Sequence, residues 1–230
     1  MSVFAGVTIR DRAAFVDGVL VLADLHLGQG ERSTVELPVG DGSEMIERLE
    51  TLCEHFDPST VLIAGDLLHS FRTVPRTVQR TVDSLQQVVE ESGAELVVIP
   101  GNHDTMLDSV WDGETTDSYR VGDTVVCHGH VQPEADAQRY ILGHDHPSIA
   151  VEGRKRSCYL AGESVYRDAA LLMLPPFSRL VPGAQINGMG TDDFLSPLVT
   201  DADALRPVVL DESAEETLEF PPLGEFRHRL

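Results

Sequence analysis

Thr60-Val-Leu-Ile-Ala-Gly-Asp-Leu-Leu-His69 is the stretch on which the reading of the fold turns. Thr60 to Ala64 is a short apolar run that stops at Gly65-Asp66. A run of this length, ended by a glycine, reads as a buried strand. The same pattern flanks it on both sides. Val19 to Ala23 ends at Asp24-Leu-His26, and Leu96 to Ile99 ends at Pro100-Gly-Asn-His-Asp104. Between these strands the spacing predicts helices. From Ser43 to about Phe56, residues Met45, Ile46, Leu49, Leu52 and Phe56 share one face, with Ser43 as the expected cap. From Pro75 to Glu91, Val78, Val82, Leu85 and Val89 form a stripe, with Pro75 in the first turn and Gly93 past the end. Residues 27–42, rich in glycine and polar types, read as a loop. Strand and helix in alternation predict parallel βαβ units.

After about residue 117 the pattern changes. Short runs at 118–121, 124–127, 139–142, 148–152, 157–161 and 169–174 are separated by turn signals such as Val121-Gly-Asp123 and Glu152-Gly-Arg154. They predict a mostly antiparallel second sheet. The sum is an α/β fold of two sheets packed face to face with helices outside. No repeat or linker marks a second domain, so 1–210 reads as one domain. Residues 211–230 read as an acidic tail, mobile or loosely docked, with two prolines at 221 and 222.

The net charge is −21, only 17 residues are basic, and Lys155 is the one lysine. Such a chain repels itself and anionic partners. Molar salt, with a Debye length of about 3 Å, would relieve that repulsion. The expectation is adaptation to a very salty cytoplasm, as in halophilic archaea. No apolar run approaches the roughly 20 residues of a membrane span. The first residues, MSVFAGVTIRDRA, lack the apolar core of a signal peptide. Cys53, Cys127 and Cys158 have neither metal nor disulfide spacing, which suits a reducing compartment. Cys127 reads as a small core residue on a strand. The expected location is cytoplasmic, with no membrane partner.

Ligands of open α/β sheets bind beyond the carboxyl ends of the strands. Asp24, Asp66 and Asn102 all fall there. In extended chain, residues i and i+2 project to one side, so Asp24 with His26, and His144 with His146, could each reach one ion. Each motif alone is weak; a lone Asp-x-His is more often a surface pair. Taken in order, with His128, they supply enough donors for two divalent ions. Two ions about 3.5–4 Å apart need a shared group, and the two oxygens of Asp66 could bridge them. Imidazole and carboxylate without thiolate favour Mn, Fe, Co, Ni or Zn over Ca or Mg. Such a pair acidifies a bound water and clamps phosphoryl oxygens, so the expected chemistry is hydrolysis of phosphate esters by metal-bound hydroxide. His103, beside Asp104, is the expected proton donor to the leaving group, with Asp104 holding its ring.

These motifs resemble those of the calcineurin-like metallophosphoesterase superfamily, whose pattern of D-x-H, GD, GNH(D/E), H and GHxH is matched over about residues 19–175. The resemblance implies a four-layer αββα sandwich. It implies one metal on Asp24, His26, Asp66 and His146, and a second on Asp66, Asn102, His128 and His144, with His103 as acid supported by Asp104. Cys127-His-Gly-His130 offers two histidines, and the family pattern takes the first. Asp24-Leu-His-Leu-Gly28, Gly65-Asp-Leu-x-His69, Gly143-His-x-His-Pro147 and Leu174-Pro-Pro-Phe-Ser178 resemble the ICC-like phosphoesterases of bacteria and archaea. Bacterial relatives in that group are manganese-dependent and associated with DNA ligase and helicase repair operons. The resemblance therefore implies manganese, a phosphodiesterase or nuclease acting on DNA or RNA, and helicase or ligase partners. The alternatives are a small-molecule (nucleotide) phosphomonoesterase or phosphodiesterase and, more remotely, a non-catalytic scaffold. Arg72, Arg76 and Arg80, and Arg154-Lys-Arg156, read either as phosphate contacts or as solvated faces. His69 reads as a substrate contact or a loop cap.

Overall fold

The structure, a computed structural model, describes residues 4–29, 42–69, 72–211 and 216–227. The loop expected over 27–42 lies outside the described residues except at its two ends. The chain begins with β1 (Val7–Arg10), β2 (Ala13–Val16) and β3 (Val19–Leu22). There follow α1 (Ser43–Phe56), β4 (Thr60–Ala64), α2 (Arg76–Glu91), β5 (Glu95–Ile99) and β6 (Glu114–Thr115). The six strands form one sheet in sequence order. β3 to β6 run parallel, as the βαβ pattern requires, and β1–β2–β3 form an antiparallel meander at the edge.

That edge hairpin has no glycine to announce it. Its turn residues Asp11 and Arg12 take left-handed backbone at φ 41° and 65°, the conformation a two-residue hairpin turn demands and usually fills with Asn or Gly. Ser43 is not the cap of α1. Gly42 holds that position at φ 84°, with no side-chain cap, and Ser43 is the first helical residue.

The second half contributes β7 (Tyr119–Val121), β8 (Thr124–Val126), β9 (Arg139–Leu142), β10 (Pro147–Val151) and β11 (Arg154–Ser157). It continues with β12 (Tyr159–Tyr166), β13 (Ala169–Met173), β14 (Ala184–Gln185), β15 (Arg206–Asp211) and β16 (Glu216–Glu219). Seven of these form a second sheet in the order β16-β15-β12-β13-β9-β8-β7, and β11-β10-β14 make a small third one. The second sheet is antiparallel except at β13–β9 and β8–β9.

Alternation along the strands builds the layers. Leu20, Leu22, Val61, Ile63 and Val98 face α1 and α2. Val21, Leu62, Ala64, Val97 and Ile99 face the second sheet, meeting Val126, Ile141, Ala161 and Leu172. The outward side chains of that sheet, including Tyr140, Leu142, Leu160 and Leu171, are covered in turn. Each fully buried aliphatic side chain contributes about 1.5–3 kcal/mol.

The four layers stand as expected, but the outermost is not made of long helices. Short 3-10 turns at 191–193 and 202–204, the small sheet and the four-residue α3 (Leu223–Phe226) cover the second sheet. Residues 175–197 carry Pro175, Pro176, Pro182, Gly183, Gly188, Gly190 and Pro197, a composition that cannot sustain a helix. The segment expected as a loose tail adds β16 to the second sheet and buries Leu223 and Phe226 against it. All three cysteines are buried and unbridged, Cys53 on the inner face of α1 and Cys127 and Cys158 beneath the outermost layer. Among the described residues no helix is long and apolar enough to cross a membrane.

Candidate metal centre

The chain keeps pairing beyond the ends of β3 and β4. Asp24 N–H donates to Gly65 O, His26 N–H to Asp66 O and Leu27 N–H to Leu67 O, at 3.1, 2.9 and 2.9 Å. The backbone there is not extended. Asp24, His26, Asp66, His144 and His146 have φ of 55°, 46°, 48°, 76° and 50°. The i, i+2 pairs thus converge by left-handed turns at both members, rather than by the strand geometry expected from their spacing. Non-glycine residues held so cost of order 1–3 kcal/mol each and cluster at functional sites.

Two glycines give these side chains room. A Cβ on Gly65, itself at φ 89°, would enter the His128 ring, and one on Gly101 would enter the Asp66 carboxylate.

Asp66 occupies the middle of the cluster. Its Oδ1 accepts the His103 N–H at 2.9 Å. Its Oδ2 lies 3.7 Å from His26 Nε2 and 3.6 Å from His128 Nε2, facing both. Asp24 Oδ2 accepts the His144 N–H at 2.9 Å, and its Oδ1 lies 3.4 Å from His146 Nε2. His26 Nε2 and His146 Nε2 are 3.1 Å apart. On the other side, His128 Nε2 lies 3.1 Å from Asn102 Oδ1, while His128 Nδ1 lies 3.2 Å from the Ala64 carbonyl. An Nδ1–H donated to that carbonyl leaves the Nε2 lone pair turned inward, the arrangement typical of a metal-binding imidazole.

Two donor groups that share Asp66 result, and His26, His69 and His103 form a third. Asp24, His26, Asp66 and His146 place ligand atoms within 4.8 Å of one another, and so do Asp66, His128 and His144. Asn102 adjoins the second group through His128.

The electrostatics fit cations. Burial pulls His26 down to about 3, His128 to about 2 and His144 to about 4. These rings are neutral at pH 7 and offer lone pairs. Burial raises Asp24, and it pushes Asp66 up to about 7. Burial also works to lower His146, but the Asp24 carboxylate 3.4 Å away and the charges of Asp66 and Asp145 carry it above the ordinary value. Asp24 is fully buried, and its Oδ1 has no hydrogen-bond partner among the described residues. Buried carboxylates ringed by neutral imidazoles need a compensating charge. Two divalent ions would supply it through oxygen and nitrogen donors. Cys127 is no thiolate donor, since its side chain joins the outer core and burial pushes its thiol up to about 12.

Asp104, expected to support the His103 ring, has a structural task as well. Its oxygens accept the N–H groups of Gly101, Leu67 and Leu68 at 2.8, 3.2 and 2.8 Å, which ties the loop after β4 to the loop after β5. Asp145 was not singled out in the sequence. It accepts the N–H groups of Leu195 and Ser196 at 2.7 and 3.1 Å, anchoring the turn that carries His144 and His146. The variable position of a G-H-x-H motif carries no signal that would reveal this.

His69, His103 and His130 adjoin the cluster. The half-buried His103 ring lies 5.2 Å from that of His26 and 6.0 Å from His69, nearly parallel to the latter. The His130 ring is 5.0 Å from His128 and 6.1 Å from His144. Arg72 before α2, Arg76 at its start and Arg80 one turn in are exposed and form no ion pair among the described residues.

Residues 18–166 match the family model of calcineurin-like phosphoesterases. Among solved structures, the Pseudomonas putida nuclease MPE resembles the chain in fold, with a TM-score of 0.63 at 22% identity, covering 91% of this chain and 92% of that one. Yfce, a phosphoesterase from E. coli, gives a TM-score of 0.46 at 16% identity, covering 89% and 98%. No curated protein matches the chain.

Proposed function

From the premise that the chain belongs to the calcineurin-like phosphoesterase family and is a metal-dependent phosphoric ester hydrolase, we propose that it is a two-metal phosphodiesterase or nuclease that cuts nucleic-acid strands. The observation that carries the two-metal reading is Asp66, with one oxygen fixed by the His103 N–H and the other turned toward both donor groups. Asp24, His26, Asp66 and His146 would hold one ion, and Asp66, Asn102, His128 and His144 the other. The donor set suits manganese, with Fe, Co, Ni or Zn as competitors. When bound, such a pair supplies an acidified water as nucleophile and offsets charge on the phosphoryl oxygens.

The protein's own groups do the rest. The Ala64 carbonyl fixes the tautomer of His128, and Asp145 fixes the turn of His144 and His146. His103, whose backbone is held on Asp66 and whose ring adjoins the cluster, gives the leaving oxygen its proton. Asp104 acts as a positioning residue, holding together the loops that bear Asp66 and His103.

For the substrate, the support is the exposed Arg72, Arg76 and Arg80 beside the His69 loop, together with the likeness in fold to a nuclease. A net charge of −21 favours the competing reading, small nucleotide esters, because it opposes polyanions. Molar salt in the cytoplasm of a halophile would screen that repulsion. Helicase or ligase partners in DNA repair would follow from the nucleic-acid reading.

The test is turnover by Mn²⁺-loaded protein in molar KCl of an aryl phosphate, an aryl phosphodiester and labelled single-stranded DNA. Cleavage of DNA is expected. Turnover of the small esters alone would replace the substrate reading. No turnover, with no metal bound, would leave a scaffold.

A further inference from the structure

A cavity of about 470 Å³ lies beside the metal centre, and its lining is the reverse of the chain's overall charge. Arg12, Lys155, Arg156 and Arg179 line it, four of only 17 lysines and arginines, and among the described residues no carboxylate does. Lys155 is the chain's single lysine.

Three of these cations are held in place by the protein. Arg12 donates to the carbonyls of Pro176 and Ser178 at 3.1 and 2.9 Å, and Lys155 Nζ to the carbonyl of Gly183 at 2.6 Å. Arg179 is paired with Asp11 and Glu44 at 3.2 and 2.8 Å. Arg156 is exposed and has no ion pair among the described residues. Arg12, Lys155 and Arg156 around a space with no carboxylate in its lining make an anion site, and the planar forks of arginine suit phosphate oxygens. The volume exceeds what one phosphate needs and falls in the range of small-ligand pockets, roughly 300–1,000 Å³.

Position identifies which anion. The register Ala14↔Val21 puts the β1–β2 turn, and so Arg12, at the same sheet edge as Asp24, one strand away. The wall formed by residues 175–182 returns to the centre, since Phe177 N–H donates to Ala23 O at 2.7 Å. The opposite wall starts at Ser148, two residues after His146, and Ala184 N–H donates to His146 O at 2.8 Å. The segments that line the cavity are thus tied to the chain next to Asp24 and at His146. We propose that it is a second anion subsite, taking a backbone phosphate of a nucleic-acid strand whose neighbouring diester lies at the metal centre. This rests on the nucleic-acid reading above and adds where the strand runs: past the β10–β11 hairpin and the β1–β2 turn.

Binding of a fluorescent, hydrolysis-resistant phosphorothioate oligodeoxynucleotide to Mn²⁺-loaded protein, followed by anisotropy across a KCl series, tests it. Cleavage of the unmodified strand is followed in parallel. Arg156→Glu should weaken binding about tenfold or more. It should also flatten the log–log salt dependence by about 0.7 for the lost phosphate contact. Arg154→Glu, on the same hairpin but outside the cavity, changes net charge equally and should have little effect. Equal loss in both variants, or in neither, overturns the proposal. So does displacement of the strand by an equal concentration of inorganic phosphate, which would make the cavity a free-anion site. Strand bound through Arg156 but not cut would leave the subsite standing and remove the nuclease reading. Strand cut normally by Arg156→Glu would do the opposite, and no binding at all would end both.

Discussion

Asp66 carries a proton that an incoming cation must displace. Its pKa is pushed up to about 7, first by burial and then by the charges of Asp24 and Asp104. Below that pH the free carboxyl is protonated, and metal uptake releases the proton. Mn²⁺ affinity should therefore rise at least tenfold per pH unit up to about 7 and then level, apart from the further protons on the raised Asp24 and His146. His26, His128 and His144 are already neutral across this range and add no slope. Dissociation constants measured over a pH series check this; a flat profile below neutrality would contradict it. Asp66→Ala removes the shared group and should weaken metal binding more than the 10–100-fold typical of lost outer partners, as read by metal content after dialysis. His103→Ala should retain metal yet lose about 10²–10⁴-fold in kcat, most for poor leaving groups. Unchanged rates with such substrates would exclude it as the acid. The donor atoms themselves were legible in the sequence, because each sits in a short motif at the end of an apolar run. The partners of Asp104 and Asp145 were not, because they are backbone N–H groups supplied by distant loops.

At the scale of elements, the strand ends do the positioning. Close approach of the loop after β5 to the Asp66 carboxylate is possible only without a side chain at position 101. Gly101→Ala should lower stability by about 1–3 kcal/mol through overpacking, or roughly 2–4 °C of melting temperature per kcal/mol, and should weaken metal binding with it. Normal metal uptake in a folded Gly101→Ala protein would show that the carboxylate has slack. The two long helices and three of the four parallel strands were readable because apolar periodicity over 14 or 16 residues, and unbroken apolar runs, leave few alternatives. The β1–β2 hairpin was not, since Asp11 and Arg12 take a conformation usually marked by glycine. Ser43, expected as the cap, is the first residue of α1 instead, because the left-handed Gly42 makes the entry turn with no side-chain cap.

For the molecule as a whole, a net charge of −21 predicts self-repulsion that salt would screen. Melting temperature should climb steeply as KCl approaches molar concentration, where the Debye length is about 3 Å, and much less with sucrose at low ionic strength. A melting temperature indifferent to salt would show that the acids lie too far apart to repel. The four-layer order was legible from the strand–helix half and the strand-rich half. The makeup of the outermost layer was not, because segments broken by proline and glycine have no period, and their place is dictated by the apolar face they must cover.

The buried thiols turn this layering into a clock. Cys53 reports on the helix side of the sandwich, while Cys127 and Cys158 report on the far side, and none can meet a solution reagent until its own layer parts. The order in which an alkylating probe marks them during slow denaturation would reveal which side of the sandwich loosens first.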